Sequence, residues 1–427
     1  MLASPDRELA ERHPQLPGLG LVFDTTALAK AARRCGVELP RDCEPTYVRF
    51  KPGTRCLVGY GSSRSHGSPL FYASAFERGS AKLTKASKRA VVETSHGPGR
   101  IVLDEHAVEL CVFPNDDHLE VLISLANSET RGAVIARLLP ATNFMTASQL
   151  DVVAYKPERR CVFKYNGGDG TTALIKAYEQ NAFSAARKRA LHFCSKPRLS
   201  GTQRLIGADE SARLLAMNWL PGRSLAEEIR LPSPNLSHTD RAGRRLAEIH
   251  ASEPDGLPEW SHSGAAGRLH EIAAVFGVLL PPLFDRMLEV SSRVMAALND
   301  VNGASVVSHG DFHTEQILID GDRIALIDFD EALMAPPAFD IGSFISRLQM
   351  NAARGEISER VSEDAAESFV EGYAANRAAP SKREILAFTA LALLNVAQEP
   401  FRRRRAEWPS EIVAILDRTE KLLGAIS

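Results

Sequence analysis

The sequence predicts an α+β protein in which two similar strand-rich units precede a mainly helical half. Three observations predict this class. A segment beginning at Tyr47 returns roughly 100 residues later, which is the signature of an internal duplication. Both copies consist of short apolar runs bounded by turn residues, as strands are. In the last part of the chain, Leu, Ile and Phe recur three and four positions apart, which is typical of packed helices.

The repeat has two anchors. YVRFKPGTRCLVGY begins at Tyr47 and VVAYKPERRCVFKY begins at Val152, while DEHAVELCVF begins at Asp104 and DESARLLAMNW begins at Asp209. Both pairs of anchors are separated by the same number of residues, so we infer one duplicated unit. Each copy is predicted to contain a strand, a tight turn, a strand, a loop, a strand, a helix and two more strands.

The two copies differ at one informative position. When the third strands, LFYASAF and TALIKAY, are aligned on their final Ala and aromatic residue, Lys176 takes the place of Ser74. A lysine among apolar strand residues costs burial energy unless an anion pairs it. The preceding turn carries further cations at Lys156, Arg159 and Arg160, so we favour a lysine that reaches bound phosphates. A solvent-facing strand residue is the alternative.

Composition excludes several classes of protein. There are 51 Lys and Arg against 53 Asp and Glu, so a dedicated nucleic-acid binder is not expected. No run of about 20 apolar residues occurs, and the first residues lack the apolar segment of a secretory signal, so no membrane partner is predicted. The six cysteines show no CxxC pair and are predicted to be free thiols in the cytoplasm. The basic run FRRRR at 401–405 is interpreted as a solvated face.

The segment VVSHGDFHTEQILIDGDRIALIDFD, from Val306 to Asp330, carries the clearest chemistry. Two short apolar strands flank the turn Asp320-Gly321-Asp322 and predict a hairpin. This hairpin would bring Asp311, Gln316 and Asp328 toward one end of a sheet. Oxygen ligands around an open site suit a hard cation such as Mg²⁺.

HGDFHTEQ, at 309–316, followed by IDFD, at 327–330, resembles the catalytic segment of the aminoglycoside phosphotransferase and choline kinase family. The resemblance covers roughly residues 149–427 and implies a protein-kinase-like two-lobed fold. In that fold a small strand-rich lobe with a lysine leads through a hinge to a large helical lobe. The Pro-Gly break in NWLPGRSL, from Asn218 to Leu225, is the predicted hinge.

The resemblance also implies roles for individual residues. Asp311 matches the Asp that orients the acceptor hydroxyl and accepts its proton, Asp328 the metal-binding aspartate, and Lys176 the lysine that contacts the α and β phosphates. The turn Lys156–Arg160, with Arg159, takes the place of the phosphate-covering loop. His309 is expected to hold the loop backbone, and Asp340 to cap a helix or brace that loop.

The sequence departs from the family pattern in three ways. Gln316 replaces the usual metal-binding asparagine, as it does in maltokinase-like branches. The stretch from Gln180 to Ala208 contains no Asp or Glu to pair Lys176, which leaves Glu179 as the nearest carboxylate. The third departure is the extra first copy. It could cap the true lobe or serve stability alone, and a nucleotide role for Lys51 and Arg55 is the less favoured alternative.

We therefore expect transfer of the γ-phosphate of ATP, with Mg²⁺, to a hydroxyl of a small molecule such as a sugar, amino sugar or aminoglycoside-like compound. The alternative is a non-catalytic nucleotide-binding regulatory protein. The predicted domains are an N-terminal helical segment (1–43), a degenerate lobe copy (44–148), the nucleotide-binding lobe (149–218) and a helical lobe with the catalytic loop and acceptor site (219–427).

Overall fold

A computed structural model describes residues 4–62, 69–86, 91–140, 149–194, 201–253, 256–299, 301 and 303–426. The chain forms two compact units. The first comprises Met1–Ser184, Ile206–Asn218 and Pro400–Trp408, and the second comprises Ala185–Leu205, Trp219–Glu399 and Pro409–Ser427. The four domain boundaries predicted from the sequence stay predictions.

The first unit contains two five-stranded sheets of the same topology, with strand orders β1-β2-β3-β5-β4 and β6-β7-β8-β10-β9. Each copy therefore has the predicted order of strands, with a helix after its third strand. The strands are β1 (Cys43–Lys51), β2 (Arg55–Ser62), β3 (Pro69–Phe76), β4 (Arg100–Leu103), β5 (Val108–Val112), β6 (Gln149–Lys156), β7 (Arg160–Asn166), β8 (Thr172–Tyr178), β9 (Leu205–Asp209) and β10 (Leu214–Asn218).

Strand register confirms the alignment of the two copies. In the first sheet Leu57 pairs with Ser74, and in the second Val162 pairs with Lys176. Ser74 and Lys176 therefore occupy equivalent positions. The opposite face of the second sheet, which includes Cys161 and Ile175, packs into an apolar core.

The second unit is mainly helical, with short strands β11 (Arg223–Ser224), β12 (Val306–Ser308), β13 (Ile317–Asp320), β14 (Arg323–Leu326) and β15 (Leu333–Ala335). The predicted hairpin is present, because β13 pairs antiparallel with β14. In chain order, the helices of the protein are α1 (Ser4–Glu11), α2 (Leu19–Phe23), α3 (Thr25–Arg34), α4 (Ala81–Ala86), α5 (Val121–Ala126), α6 (Ser128–Leu138), α7 (Gln180–Cys194), α8 (Leu225–Ile229), α9 (Ser237–His250), α10 (His262–Leu279), α11 (Phe284–Leu298), α12 (Ala338–Ala353), α13 (Glu359–Asn376), α14 (Lys382–Val396), α15 (Glu399–Arg402) and α16 (Trp408–Ile426).

An aromatic cluster forms the centre of the second unit's core. Phe344 of α12 and Phe369 of α13 stack with ring centroids 4.0 Å apart, and Phe312 of the catalytic segment packs against both rings. All three side chains are fully buried. Because Phe312 lies next to Asp311 in sequence, packing of the core also anchors the segment that carries Asp311.

The basic run at 401–405 is only partly the solvated face that was expected, because Arg403 and Arg405 are exposed but residues of other segments contact Phe401 and Arg404. Phe401 is buried against Phe23 and Phe50, and the Arg404 guanidinium forms an ion pair with Asp6 and lies over the Phe23 ring. The apolar ring surface and the paired charge explain why this arginine is largely covered and not solvated. At least one member of the run therefore has a structural role.

Free thiols are found at Cys35, Cys43, Cys56, Cys111 and Cys161, while the side chain of Cys194 lies outside the described residues. In the part of the chain that the structure describes, no helix has the length and apolar character needed to cross a bilayer.

Helices α9 and α13 approach so closely that both need glycine at the contact. A Cβ on Gly243 would lie 2.1 Å from the Phe369 carbonyl oxygen, whereas a Cβ on Gly267 in α10 would meet nothing within 4 Å. We predict that Gly243→Ala lowers the free energy of unfolding by about 2 kcal/mol or more, because the helices must separate. Gly267→Ala should raise it by up to about 1 kcal/mol through helix propensity. Urea unfolding of the two variants checks this, and equal effects would contradict the packing described here.

Candidate active site

The loop that carries the predicted catalytic residue Asp311 follows β12, and a buried aspartate of α12 holds it. Asp340 is fully buried, and its carboxylate accepts hydrogen bonds from the backbone N–H groups of His309 (2.7 Å) and Gly310 (3.0 Å). The Nε2 of His250 donates to the same carboxylate (3.1 Å), while the Nδ1 of His250 accepts from the Tyr373 hydroxyl. The prediction that Asp340 braces the loop is confirmed.

His309 ties the two ends of the catalytic segment together. Its Nε2 donates to the carbonyl oxygen of Ile327 (2.8 Å), and its Nδ1 accepts from the backbone N–H of Asp311 (3.4 Å). The ring is completely buried. His309 therefore holds the loop backbone, as predicted, and it links the loop to the residue that precedes Asp328.

Asp311 projects from this braced loop, and about half of its side chain (51%) is exposed. One carboxylate oxygen lies 3.7 Å from the Nε2 of His313. The Nδ1 of His313 accepts from the Glu315 N–H, while its Nε2 lies beside both this carboxylate and the side-chain nitrogen of Gln316. Burial alone would raise the pKa of Asp311, but hydrogen bonding by His313, together with the positive charge of Arg347, holds this pKa well below its usual range.

Gln316 ends a short 3₁₀ turn, Thr314–Gln316, directly before β13. Its side-chain amide lies 3.3 Å from the Nε2 of His313, so His313 lies beside both Asp311 and Gln316. The backbone oxygen of Gln316 accepts from the Ile327 N–H (3.0 Å). The loop thus brings the Gln316 backbone next to the residue that leads into Asp328.

Asp328 has a left-handed backbone, with φ 62° and ψ 61°. Such a conformation is unfavourable for a residue other than glycine and is often retained at functional sites. Its N–H lies 3.5 Å from the Gln203 side-chain oxygen, which accepts the hydrogen bond. Among the described residues, no group of three or more His, Cys, Asp or Glu side chains is arranged to hold a metal ion.

Two residues of this site were missed by sequence reasoning. His313 lies inside the quoted motif, and its spacing of two residues from Asp311 could have identified it. Arg347 carries no local signal: it is buried in α12, pairs with Glu399 at 2.7 Å and contributes positive charge to Asp311. Arg347 and Asp311 both line a small recess of about 90 Å³, with Phe339, Ser343, Ser346, Phe388 and Asn395 among its other walls.

The predicted phosphate-contacting residues lie in the first unit. Lys156 pairs with Arg160 across the β6–β7 turn, Arg160 pairs with Tyr178, and Val162 pairs with Lys176. Directly paired residues, and residues two apart on a strand, share a face of a sheet. Lys156, Arg160 and Lys176 therefore share one face of the second sheet, while Arg159 lies in the turn and is exposed.

Glu179, the nearest carboxylate to Lys176 in sequence, accepts hydrogen bonds from the first turn of α7. Both of its oxygens accept hydrogen bonds from backbone N–H groups in the first turn of α7, those of Asn181 (2.9 Å) and Ala182 (2.8 Å). Glu179 thus caps the helix. The Lys176 side chain itself is almost fully buried, at 2% exposure.

A protein-family model supplies independent support for the resemblance to phosphotransferases. The model of the phosphotransferase enzyme family matches residues 171–385, half of the chain. The protein therefore belongs to this phosphotransferase family, and the resemblance carried by HGDFHTEQ and IDFD is confirmed.

Solved structures share the fold at low sequence identity. Choline kinase from Cryptosporidium parvum is similar with a TM-score of 0.53 and 10% identity, covering 70% of this chain and 96% of that one. An ethanolamine kinase from Plasmodium vivax gives a TM-score of 0.52 and 14% identity, covering 72% and 95%. Likeness at this identity shows the fold alone. It confirms the predicted α+β, protein-kinase-like fold class.

Curated relatives match a short segment. Methylthioribose kinase from Bacillus velezensis is 38% identical over 60 residues, which is 14% of this chain and 15% of that protein. Methylthioribose kinase from Geobacillus thermodenitrificans is 42% identical over 57 residues, or 13% and 14%. The chain thus spans about 15% of the length of the first of these relatives.

Removing the charge of Asp340 should loosen the loop. In Asp340→Asn a single carbonyl oxygen replaces two acceptors, so a buried N–H of His309 or Gly310 loses its partner. We expect the free energy of unfolding to fall by about 2–3 kcal/mol. Asp285→Asn makes the same change at an exposed first-turn position of α11 and should cost less than about 1 kcal/mol. Chemical denaturation compares the two variants, and similar losses would argue against a bracing role for Asp340.

Proposed function

We propose that the protein transfers the γ-phosphoryl group of ATP to a hydroxyl of a small molecule, with Asp311 as the catalytic carboxylate. The observation that carries the proposal is a half-exposed carboxylate with a lowered pKa, held at the end of a loop whose backbone is fixed by buried groups. A carboxylate that stays ionised near neutral pH can accept a hydrogen bond from an acceptor hydroxyl and take its proton as the phosphoryl group is transferred.

His313 supports the position of this carboxylate. Its Nε2 lies 3.7 Å from the Asp311 carboxylate, while its Nδ1 accepts from the Glu315 N–H. The ring orients the Asp311 carboxylate and leaves its exposed side for the substrate. We therefore assign His313 a positioning role.

The cations of the second sheet suit the phosphates of ATP. Lys176 would contact the α and β phosphates, while Lys156, Arg159 and Arg160 belong to the turn that would cover them. The shared face of Lys156, Arg160 and Lys176 supports this assignment. Cationic groups stabilise the charge of a phosphoryl group in transfer and contribute mainly by positioning and electrostatics.

The donor set also fits Mg²⁺. The Asp328 carboxylate and the Gln316 amide oxygen are hard oxygen ligands, and Mg²⁺ is commonly held by one or two protein groups plus phosphate oxygens and water. When bound, the ion neutralises phosphate charge. The braced backbone between Gln316 and Ile327 would hold the two protein ligands in position.

The acceptor class that we favour is a sugar, an amino sugar or an aminoglycoside-like compound. The recess beside Asp311 is lined by Ser343, Ser346 and Asn395 together with the aromatic residues Phe339 and Phe388. Polar residues next to aromatic surfaces suit a polyhydroxylated compound, of which only the part that carries the reacting hydroxyl would enter a recess of about 90 Å³. The segment shared with methylthioribose kinases, which are named for a sugar substrate, is in keeping with this class.

A second candidate is a non-catalytic nucleotide-binding regulatory protein. It is favoured by the absence of any Asp or Glu from α7, together with the use of Glu179 as a helix cap. Replacement of the usual metal-binding asparagine by Gln316 also favours the regulatory candidate. Because Asp311, Asp328 and Lys176 occur together, we favour catalysis.

An ADP-release assay with ATP, Mg²⁺ and a panel of sugars, amino sugars, aminoglycosides and choline tests the proposal. Wild-type protein should give acceptor-dependent turnover. Asp311→Asn should lower kcat by about 10²–10⁴-fold, because the proton acceptor is lost, while the KM for ATP changes little. Asp320→Asn, at an exposed carboxylate at the end of β13, is the matched control and should keep full activity.

Two results would argue against the proposal. Undiminished acceptor-dependent turnover in Asp311→Asn would remove the role given to this carboxylate. Nucleotide binding without turnover for any acceptor would favour the regulatory candidate.

A further inference from the structure

The first sheet has a basic face that corresponds to the face carrying Lys176 in the second. Arg49 pairs with Leu57, Leu57 pairs with Ser74, and Arg55 pairs with Phe76. By the alternation of strand residues, the side chains of Arg49, Arg55 and Ser74 share one face. This face is equivalent to the one assigned to phosphate binding in the second copy.

A carboxylate of the second copy covers this face. Glu158 lies in the β6–β7 turn, in the segment Lys156–Arg160, and is 8% exposed. Its two oxygens accept a forked pair of hydrogen bonds from Arg55 (2.7 and 2.5 Å), and Arg49 donates to one of the same oxygens. Arg55 also donates to the Ser74 hydroxyl (2.6 Å), at the position where the second copy has its lysine.

Residues of the first copy also hold the backbone of the β6–β7 turn. Glu158 has a φ of 60°, a conformation that normally favours glycine. Its N–H donates to the Asp116 carboxylate (2.8 Å), which also accepts from the Tyr155 hydroxyl (2.8 Å). Asp116 follows β5 of the first copy. Both the side chain and the backbone of Glu158 are thus fixed by residues of the first copy.

The Glu158 interaction is strongly ionic. Burial alone would raise the pKa of Glu158, but hydrogen bonding and charge from Arg55, with the charge of Arg49, lower this pKa to about 2. The carboxylate is therefore ionised at neutral pH. Arg55 and Arg49 are directed at an internal anion, which speaks against the alternative in which Arg55 serves the nucleotide.

We propose that Glu158 is a positioning residue, through which the first copy holds the phosphate-covering turn of the second copy. This inference rests on the proposed function. The turn contains no glycine, and Arg159 and Arg160 follow Glu158 directly. When Glu158 is held in place, the backbone that carries Arg159 and Arg160 is held as well. Less conformational entropy is then lost when these two arginines bind phosphates. The first copy then supports nucleotide binding without touching the nucleotide.

Glu158→Gln tests this by removing the charge while keeping the shape. We expect the Kd and KM for MgATP to rise roughly tenfold, with kcat and the acceptor KM nearly unchanged, because binding is lost equally in the ground and transition states. Glu158→Asp should recover part of the affinity. Arg55→Gln should act through the same contact, so the double variant Glu158→Gln/Arg55→Gln should be clearly less than additive.

Asp209→Asn is the matched control. Asp209 is a similarly buried carboxylate of the first unit that pairs with Arg137, and it lies on β9, the edge strand opposite β6 in the second sheet. Its loss should lower thermal stability without changing MgATP affinity. Hydrogen exchange at the backbone amide of residue 158 provides a readout that does not require nucleotide. This exchange should be faster in Glu158→Gln but not in Asp209→Asn.

Binding of MgATP to the wild-type protein and to Glu158→Gln distinguishes failure of the positioning role from failure of the proposed function. If wild-type protein binds MgATP and Glu158→Gln binds it equally well, the positioning role is overturned and the proposed function stands. Faster amide exchange with unchanged affinity would likewise reduce the contact to a structural one. If wild-type protein binds no MgATP, the proposed function and this inference both fail.

Discussion

The buried carboxylate of Asp340 is the contact on which the candidate site depends. By accepting the N–H groups of His309 and Gly310, it fixes the direction in which the chain reaches Asp311. A buried charge is tolerated only where hydrogen bonds replace water, and His250 supplies a further bond. The ionised side chain to which we assign substrate contact therefore projects from a loop whose backbone is held by hydrogen bonds.

The two copies of the sheet share one topology but carry different side chains on equivalent faces. The same register places Lys176 in one copy and Ser74 in the other, so the chemistry of a single strand position separates them. In the second copy this face retains a lysine for an external anion, according to our proposal. In the first copy the equivalent face binds the Glu158 carboxylate, an anion supplied by the protein itself. A carboxylate and a phosphate satisfy arginine in similar ways, which makes this substitution chemically simple.

Local patterns allowed much of this structure to be predicted. The repeat, the hairpin after the catalytic motif and the bracing by Asp340 follow from residue spacing and from family resemblance. Contacts between segments distant in sequence could not be predicted. The pairing of Glu158 with Arg55 joins residues 103 positions apart, and the burial of Arg404 depends on Asp6, 398 positions away. The expectation of a solvated face holds for Arg403 and Arg405 but not for Arg404, because a partner in another segment decides whether an arginine is solvated or covered.

Our central claim is that the second sheet, and not the first, meets the nucleotide phosphates. The most direct test is labelling with an ATP analogue whose terminal phosphate carries a reactive acyl group, which acylates lysines adjacent to the bound phosphates. Peptide mass spectrometry then locates the modified residue. We expect modification of Lys176 or Lys156 that excess ATP prevents. ATP-protected modification of Lys51 in the first copy would contradict it.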